Sequence, residues 1–151
     1  MHNKDPIKEA PPKVIDRFIG KYAFLSNFYE SPIAHGGVTF GSVEAAFQAQ
    51  KCPSMADKFG KLTPSKAKKL GRRVQLRSDW ENIKVTVMYN LLTTKFEDPT
   101  LRKKLLDTGD AKLIEGNTWG DRYWGVVNGE GRNVLGKLLM KVRDDIGEER
   151  A

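Results

Sequence analysis

The chain is poor in the residues that build metal clusters and covalent frameworks. Among its 151 residues, Cys52 is the one cysteine and His2 and His35 are the only histidines. A single thiol excludes an internal disulfide framework. With no export signal in Met1–Lys13, a reducing, intracellular (cytoplasmic) setting is the expectation. One thiol and two imidazoles are too few for a typical zinc site, so neither a metal nor a cofactor is expected. No uninterrupted apolar run approaches the length of a membrane span, so no membrane partner is expected. Acidic residues number 19 against 26 basic ones, a formal net charge of +7. Much of the excess lies in Lys58, Lys61, Lys66, Lys68, Lys69, Arg72, Arg73 and Arg77. Such a run is either a solvated helix face or an electrostatic footprint for phosphate-bearing substrates, nucleic acid included. Charge alone does not separate a nucleotide from a polymer.

The remaining composition, 39% hydrophobic and 30% charged, is that of one globular domain with a real core. Residues 1–13, polar and with three prolines, are expected to be a flexible leader; 14–147 form the domain and 148–151 a tail. Val14–Ile19 alternates as a strand does, and Ile33–Phe40 reads as a hairpin turning at His35-Gly36-Gly37. Thr63-Pro64 and Asp98-Pro99 open helices as N-cap and first residue, and Ser78-Asp79-Trp80-Glu81 has the form of a capping box. A short strand at Lys112–Glu115 and a last helix from about Asn133 complete the pattern. The fold class expected is α+β, a mostly helical single domain of five or six helices with a small antiparallel sheet.

Gly41–Lys51 is the most informative segment. As a helix capped by Ser42, it turns 100° per residue and brings Glu44, Gln48 and Lys51 within about 60° of one another. Ala45, Ala49 and Cys52 border that stripe on one side, Phe47 and Val43 on the other. A carboxylate, an amide and an amine between apolar walls suggest a pocket, because burying them costs free energy unless they find partners. At the helix start, the dipole favours an ionised Glu44, a general base or a stabiliser of positive charge. Lys51 is either a capping cation or, desolvated, an amine able to attack an electrophilic carbon.

Glu115–Asn133 lacks periodicity but holds Trp119, Asp121, Tyr123, Trp124 and five glycines, which suits a binding loop. Asp121 either makes an Asx turn or binds sugar hydroxyls and stabilises charge at an anomeric carbon, with the aromatics stacking on a base. The glycine-rich approach to the last helix, with Arg132 and Asn133, serves the turn or holds a phosphate.

The residues together resemble the NADAR superfamily, which includes the YbiA-like proteins. The likeness rests on Phe24-Leu25-Ser26-Asn27-Phe28-Tyr29, the Ser42–Lys51 helix, Gly71-Arg72-Arg73, Arg77-Ser78-Asp79-Trp80 and Lys95-Phe96. It continues through Leu105–Asp110, Trp119–Gly125 and Gly131–Met140, spanning about Phe18 to Arg143. Family members often carry Asn-Asp before the Trp-Gly pair, where Gly120-Asp121 stands here.

The resemblance implies metal-free cleavage of an N-glycosidic bond between a base-like group and a phosphate-bearing ribose. It maps a polar quartet onto Glu44, Trp80, Asp121 and Trp124, and the family's lysine onto Lys51. Asn27, Phe28, Gln48, Trp119, Arg132 and Asn133 are the expected substrate-binding residues. The expected substrate is an ADP-ribosyl adduct, above all ADP-ribosylated guanine in DNA. The alternatives are a phosphoribosylamino-pyrimidine intermediate of riboflavin biosynthesis, and a catalytically silent ADP-ribose or nucleotide-binding module.

Overall fold

The computed structural model describes residues 10–150, with only the backbone of Arg150. Most of the expected leader, 1–13, therefore lies outside the described residues. Two short sheets and six α-helices make up the domain. Strand β1 is Val14–Ile15, β2 Ile33–His35, β3 Val38–Phe40 and β4 Lys112–Leu113. The helices are α1 (Val43–Ala49), α2 (Ala56–Phe59), α3 (Pro64–Gly71), α4 (Trp80–Lys95), α5 (Pro99–Asp107) and α6 (Val134–Arg150). A 3₁₀ turn, Gly20–Leu25, leads into the loop that carries Asn27 and Phe28.

The hairpin forms as its turn residues dictate, with Ile33 opposite Phe40 and His35 opposite Val38 in antiparallel register. The other sheet differs from expectation: β1 pairs with β4 in parallel, Val14 beside Lys112 and Ile15 beside Leu113. A parallel pair needs a long crossover, and here α1 to α5 and the hairpin lie between the two strands. Because β4 has only two residues, β1 stops at Ile15 rather than running to Ile19.

Side-chain caps start several helices where the sequence places them. Ser42 Oγ accepts from Ala45 N at 3.1 Å, Thr63 Oγ1 from Lys66 N at 3.3 Å, and Asp98 Oδ2 from Leu101 N at 2.9 Å. Each satisfies one of the donors a helix start leaves open. The capping box before α4 does not form. The helix begins at Trp80 with Asp79, not Ser78, in the capping position, and the Asp79 carboxylate pairs with Arg77 at 2.6 and 3.2 Å instead of capping. Residues 148–150 continue α6 instead of forming a separate tail.

Helix α4 runs through the middle, packed on α1 and α6, and α1 in turn packs on α3. Leu25, Ile33, Ala45, Phe59, Leu91, Leu92, Leu105, Leu113 and Leu139 are fully buried among them. Burying such aliphatic and aromatic side chains stabilises the fold by about 1.5–3 kcal/mol each. Lys95 shares this core. At 1% exposed, it donates from Nζ to the Ser26 carbonyl at 2.9 Å and lies near the rings of Phe96 and Tyr29. No described helix is long and apolar enough to cross a membrane.

Candidate active site

A cavity of about 870 Å³ opens where α1, α3, the start of α4 and the Glu115–Asn133 loop converge. Its α1 wall is the stripe read from the sequence. All seven residues of α1 are buried, because Ala45, Ala46 and Ala49 let neighbouring elements approach closely. A methyl group on Gly71 of α3 would lie 1.9 Å from Gln48 Oε1, which is how tightly that helix closes over the stripe. Gln48 Nε2 donates to Glu44 Oε2 at 2.7 Å, an i,i+4 contact along one face. The Glu44 amide donates to the Asn27 carbonyl at 3.0 Å, tying the α1 start to the Asn27–Phe28 loop.

Two effects act on Glu44 in opposite senses. The helix start favours an ionised Glu44, yet burial pushes its pKa up, beyond what the Gln48 hydrogen bond and the charges of Lys68 and Lys51 offset. Burial pushes Lys51 down instead, and Arg72, Lys68 and Lys84 press the same way while Glu44 opposes. Buried oppositely charged groups thus drift toward one another in proton affinity, as acid–base sites require. Lys51 Nζ is 6.0 Å from the Trp80 ring centre.

Polar pairing builds the opposite wall. Asn117, 7% exposed, accepts from Asp121 N at 3.0 Å and donates from Nδ2 to the Asp121 carbonyl and to Glu115 Oε2, both at 2.9 Å. Asp121 Oδ1 then accepts from Tyr123 N at 3.1 Å and Trp124 N at 2.9 Å, an Asx-type turn. Asp121 makes that turn and lines the cavity as well.

Phe47 joins the two walls. Its ring centre lies 5.0 Å from that of Trp80 and 5.3 Å from that of Trp124, the latter edge to face.

Asn27, Phe28, Glu44, Gln48, Lys51, Trp80, Trp119, Asp121 and Trp124 all line this cavity. Arg132 and Asn133, also expected to bind substrate, are not among its lining residues. Asn133 is buried with φ 52°; its Oδ1 accepts from Glu115 N and its Nδ2 donates to the Leu113 carbonyl, each at 2.9 Å. It fastens the loop to β4. Arg132 is exposed and stacks over Tyr123, 4.9 Å from the ring centre. Lys84, Met88 and Glu115 are lining residues that motif reasoning did not single out, while Lys68 comes from the basic run. Glu115 had one signal, its place at the head of the aperiodic loop.

Lys66, Lys68, Lys69 and Arg72 line the α3 side. Lys68 Nζ lies 5.9 Å from the ring centre of Phe28 and 6.0 Å from that of Trp119, both exposed at 42% and 62%. Asn27 Oδ1 and Gln48 Oε1 are buried without a hydrogen-bond partner, so both amides carry unused accepting capacity. The arrangement is a polar floor between aromatic walls, with a cationic side suited to phosphate.

The family is shown by comparison with known proteins. The NADAR domain model matches residues 17–147, and the chain belongs to this family. N-glycosidase YbiA of Escherichia coli K12 is 39% identical over 138 residues, covering 85% of this chain and 84% of that protein. A riboflavin biosynthesis protein of Vibrio vulnificus is 37% identical over 134 residues, 84% of this chain but 36% of that longer protein. The NMR structure of E. coli YbiA superposes with a TM-score of 0.81 at 36% identity, covering 95% of this chain and 91% of that one.

Proposed function

We propose that this chain cleaves the C1′–N bond of ADP-ribosyl adducts, above all ADP-ribose carried on guanine in DNA. The broader activity, hydrolysis of N-glycosyl compounds, follows from membership of a family whose similar relatives are named N-glycosidases. The cavity carries the finer reading. Its 870 Å³ is near the upper end for small-ligand sites, and two exposed rings, Phe28 and Trp119, lie beside Lys68 of its cationic α3 side. That layout has room for a second phosphate and base beyond the reacting ribose.

In this reading Asp121 stabilises positive charge as the C1′–N bond breaks, and Trp80 and Trp124 wall the ribose. Lys51, whose proton affinity burial lowers, adds to C1′ as the amine, with water later releasing the sugar. Glu44 takes the proton that the attacking group loses.

A second reading, hydrolysis of a phosphoribosylamino-pyrimidine, is favoured by the similarity to riboflavin biosynthesis proteins. Incubating the protein separately with an oligonucleotide bearing ADP-ribosyl guanine and with phosphoribosylamino-pyrimidine decides between them. Base release followed by mass spectrometry is expected to be faster, per enzyme, from the oligonucleotide. Release from the pyrimidine alone overturns the first reading in favour of the second.

A further inference from the structure

Three carboxyl groups line the cavity, and their surroundings are not equivalent. Asp121 accepts two backbone N–H groups on one oxygen. Glu44 accepts the Gln48 amide and faces the cations Lys51 and Lys68. Each is thus met by more than one positively polarised partner. Glu115 differs: its carboxyl accepts one amide N–H, from Asn117, and faces the two other carboxyls, with Lys68 of α3 the cation bearing on it.

Its position is also held with unusual firmness. Asn133 Oδ1 takes its backbone N–H, and Val126 N donates to its carbonyl at 2.9 Å. Gly125 packs so closely that a methyl group there would lie 2.0 Å from Glu115 Oε2. Only glycine leaves the carboxyl that space.

From this placement we infer that Glu115 is the proton donor to the departing base, a role resting on the N-glycosidase reading. As the C1′–N bond breaks, its electron pair leaves with the base, and the Glu115 proton passes to a nitrogen of that base. The hydroxyl of water finally resides on C1′, and the remaining water proton restores the Glu115 acid. Burial and the neighbouring carboxyls of Asp121 and Glu44 push the Glu115 pKa up to about 7, so the acid form is present at neutral pH.

The test is Glu115→Gln, compared with the native chain on two leaving groups. One is guanine in ADP-ribosylated DNA, which must gain a proton to leave. The other is nicotinamide in a nicotinamide nucleotide, which leaves as a neutral base unaided. The native kcat/KM for guanine release should fall as pH rises through about 7. The variant should lose this limb and about 10²-fold or more of the rate on guanine, yet retain its rate on nicotinamide. Equal losses on both bases, or a limb that persists in the variant, overturn the proposal. Native protein that releases base from no ribosyl N-glycoside overturns the N-glycosidase reading, and this inference with it. Thermal unfolding of the variant separates a lost proton donor from a lost fold.

Discussion

The two walls of the cavity are made in different ways. The α1 wall is regular: helical geometry alone aligns Glu44, Gln48 and Lys51, and the alanines between them bury the helix. The loop wall has no period. Asp121, Glu115 and Trp124 are held there by Asn117, Asn133 and bonds to the backbone. A helix can therefore lose a polar side chain and keep its shape. The loop uses its polar side chains as its framework, so chemistry and stability are coupled there.

Substitutions that separate activity from stability probe this difference most strongly. Lys51→Ala and Glu44→Gln on the helix wall should each lower base release by about 10²–10⁴-fold. Their melting temperatures should stay at or above the native value, since each replaces a poorly solvated ionisable group. Asp121→Ala on the loop wall should lose comparable activity and destabilise as well, by about 1–3 kcal/mol. The cause is that Tyr123 N and Trp124 N lose their acceptor. Urea unfolding beside the turnover assay distinguishes the two patterns.

Asn133→Ala tests the framework without touching the cavity. It removes two hydrogen bonds and puts a β-carbon without polar atoms at φ 52°, so a loss of about 1–3 kcal/mol in urea unfolding is expected. Activity should fall less than in Asp121→Ala. A weaker signal comes from pH. Lys95 has its folded-state pKa lowered to about 7 by burial, against an ordinary 10.5. Between those values the unfolded chain binds the extra proton, so this group makes stability rise with pH from about 7 towards 10.5. Glu115, raised to about 7 from 4.5, makes stability fall as pH rises across that interval. Lys95→Met should flatten the first trend in thermal melts and leave the second. Arg132→Ala should change neither turnover nor stability appreciably, because its side chain is exposed and outside the cavity.

How far the site could be read from sequence follows the same division. The stripe on α1 needed only the 100° turn and the Ser42 cap, and the hairpin only its two glycines. The parallel partner of β1 was not legible, because β4 is far along the chain and neither strand has enough residues to show a period. The capping box before α4 failed for a local reason: the helix starts one residue later than the box requires, and Asp79, then at the cap, pairs with Arg77. Asn133 looked like a ligand-binding residue because an asparagine beside glycines fits either role. Only the contacts to Leu113 and Glu115 assign it to the framework. Glu115 escaped notice because its environment depends on Asp121 and Glu44, which come together only in the fold.

The central claim is that the two walls act as one site on one ribosyl C1′–N bond. A double-mutant cycle with Lys51→Ala and Asp121→Asn, read as kcat/KM for guanine release from ADP-ribosylated DNA, tests it directly. If both residues serve the same bond-breaking step, the double variant should be little slower than the worse single one. Losses that multiply independently, or a Lys51→Ala variant with full activity, would contradict the claim.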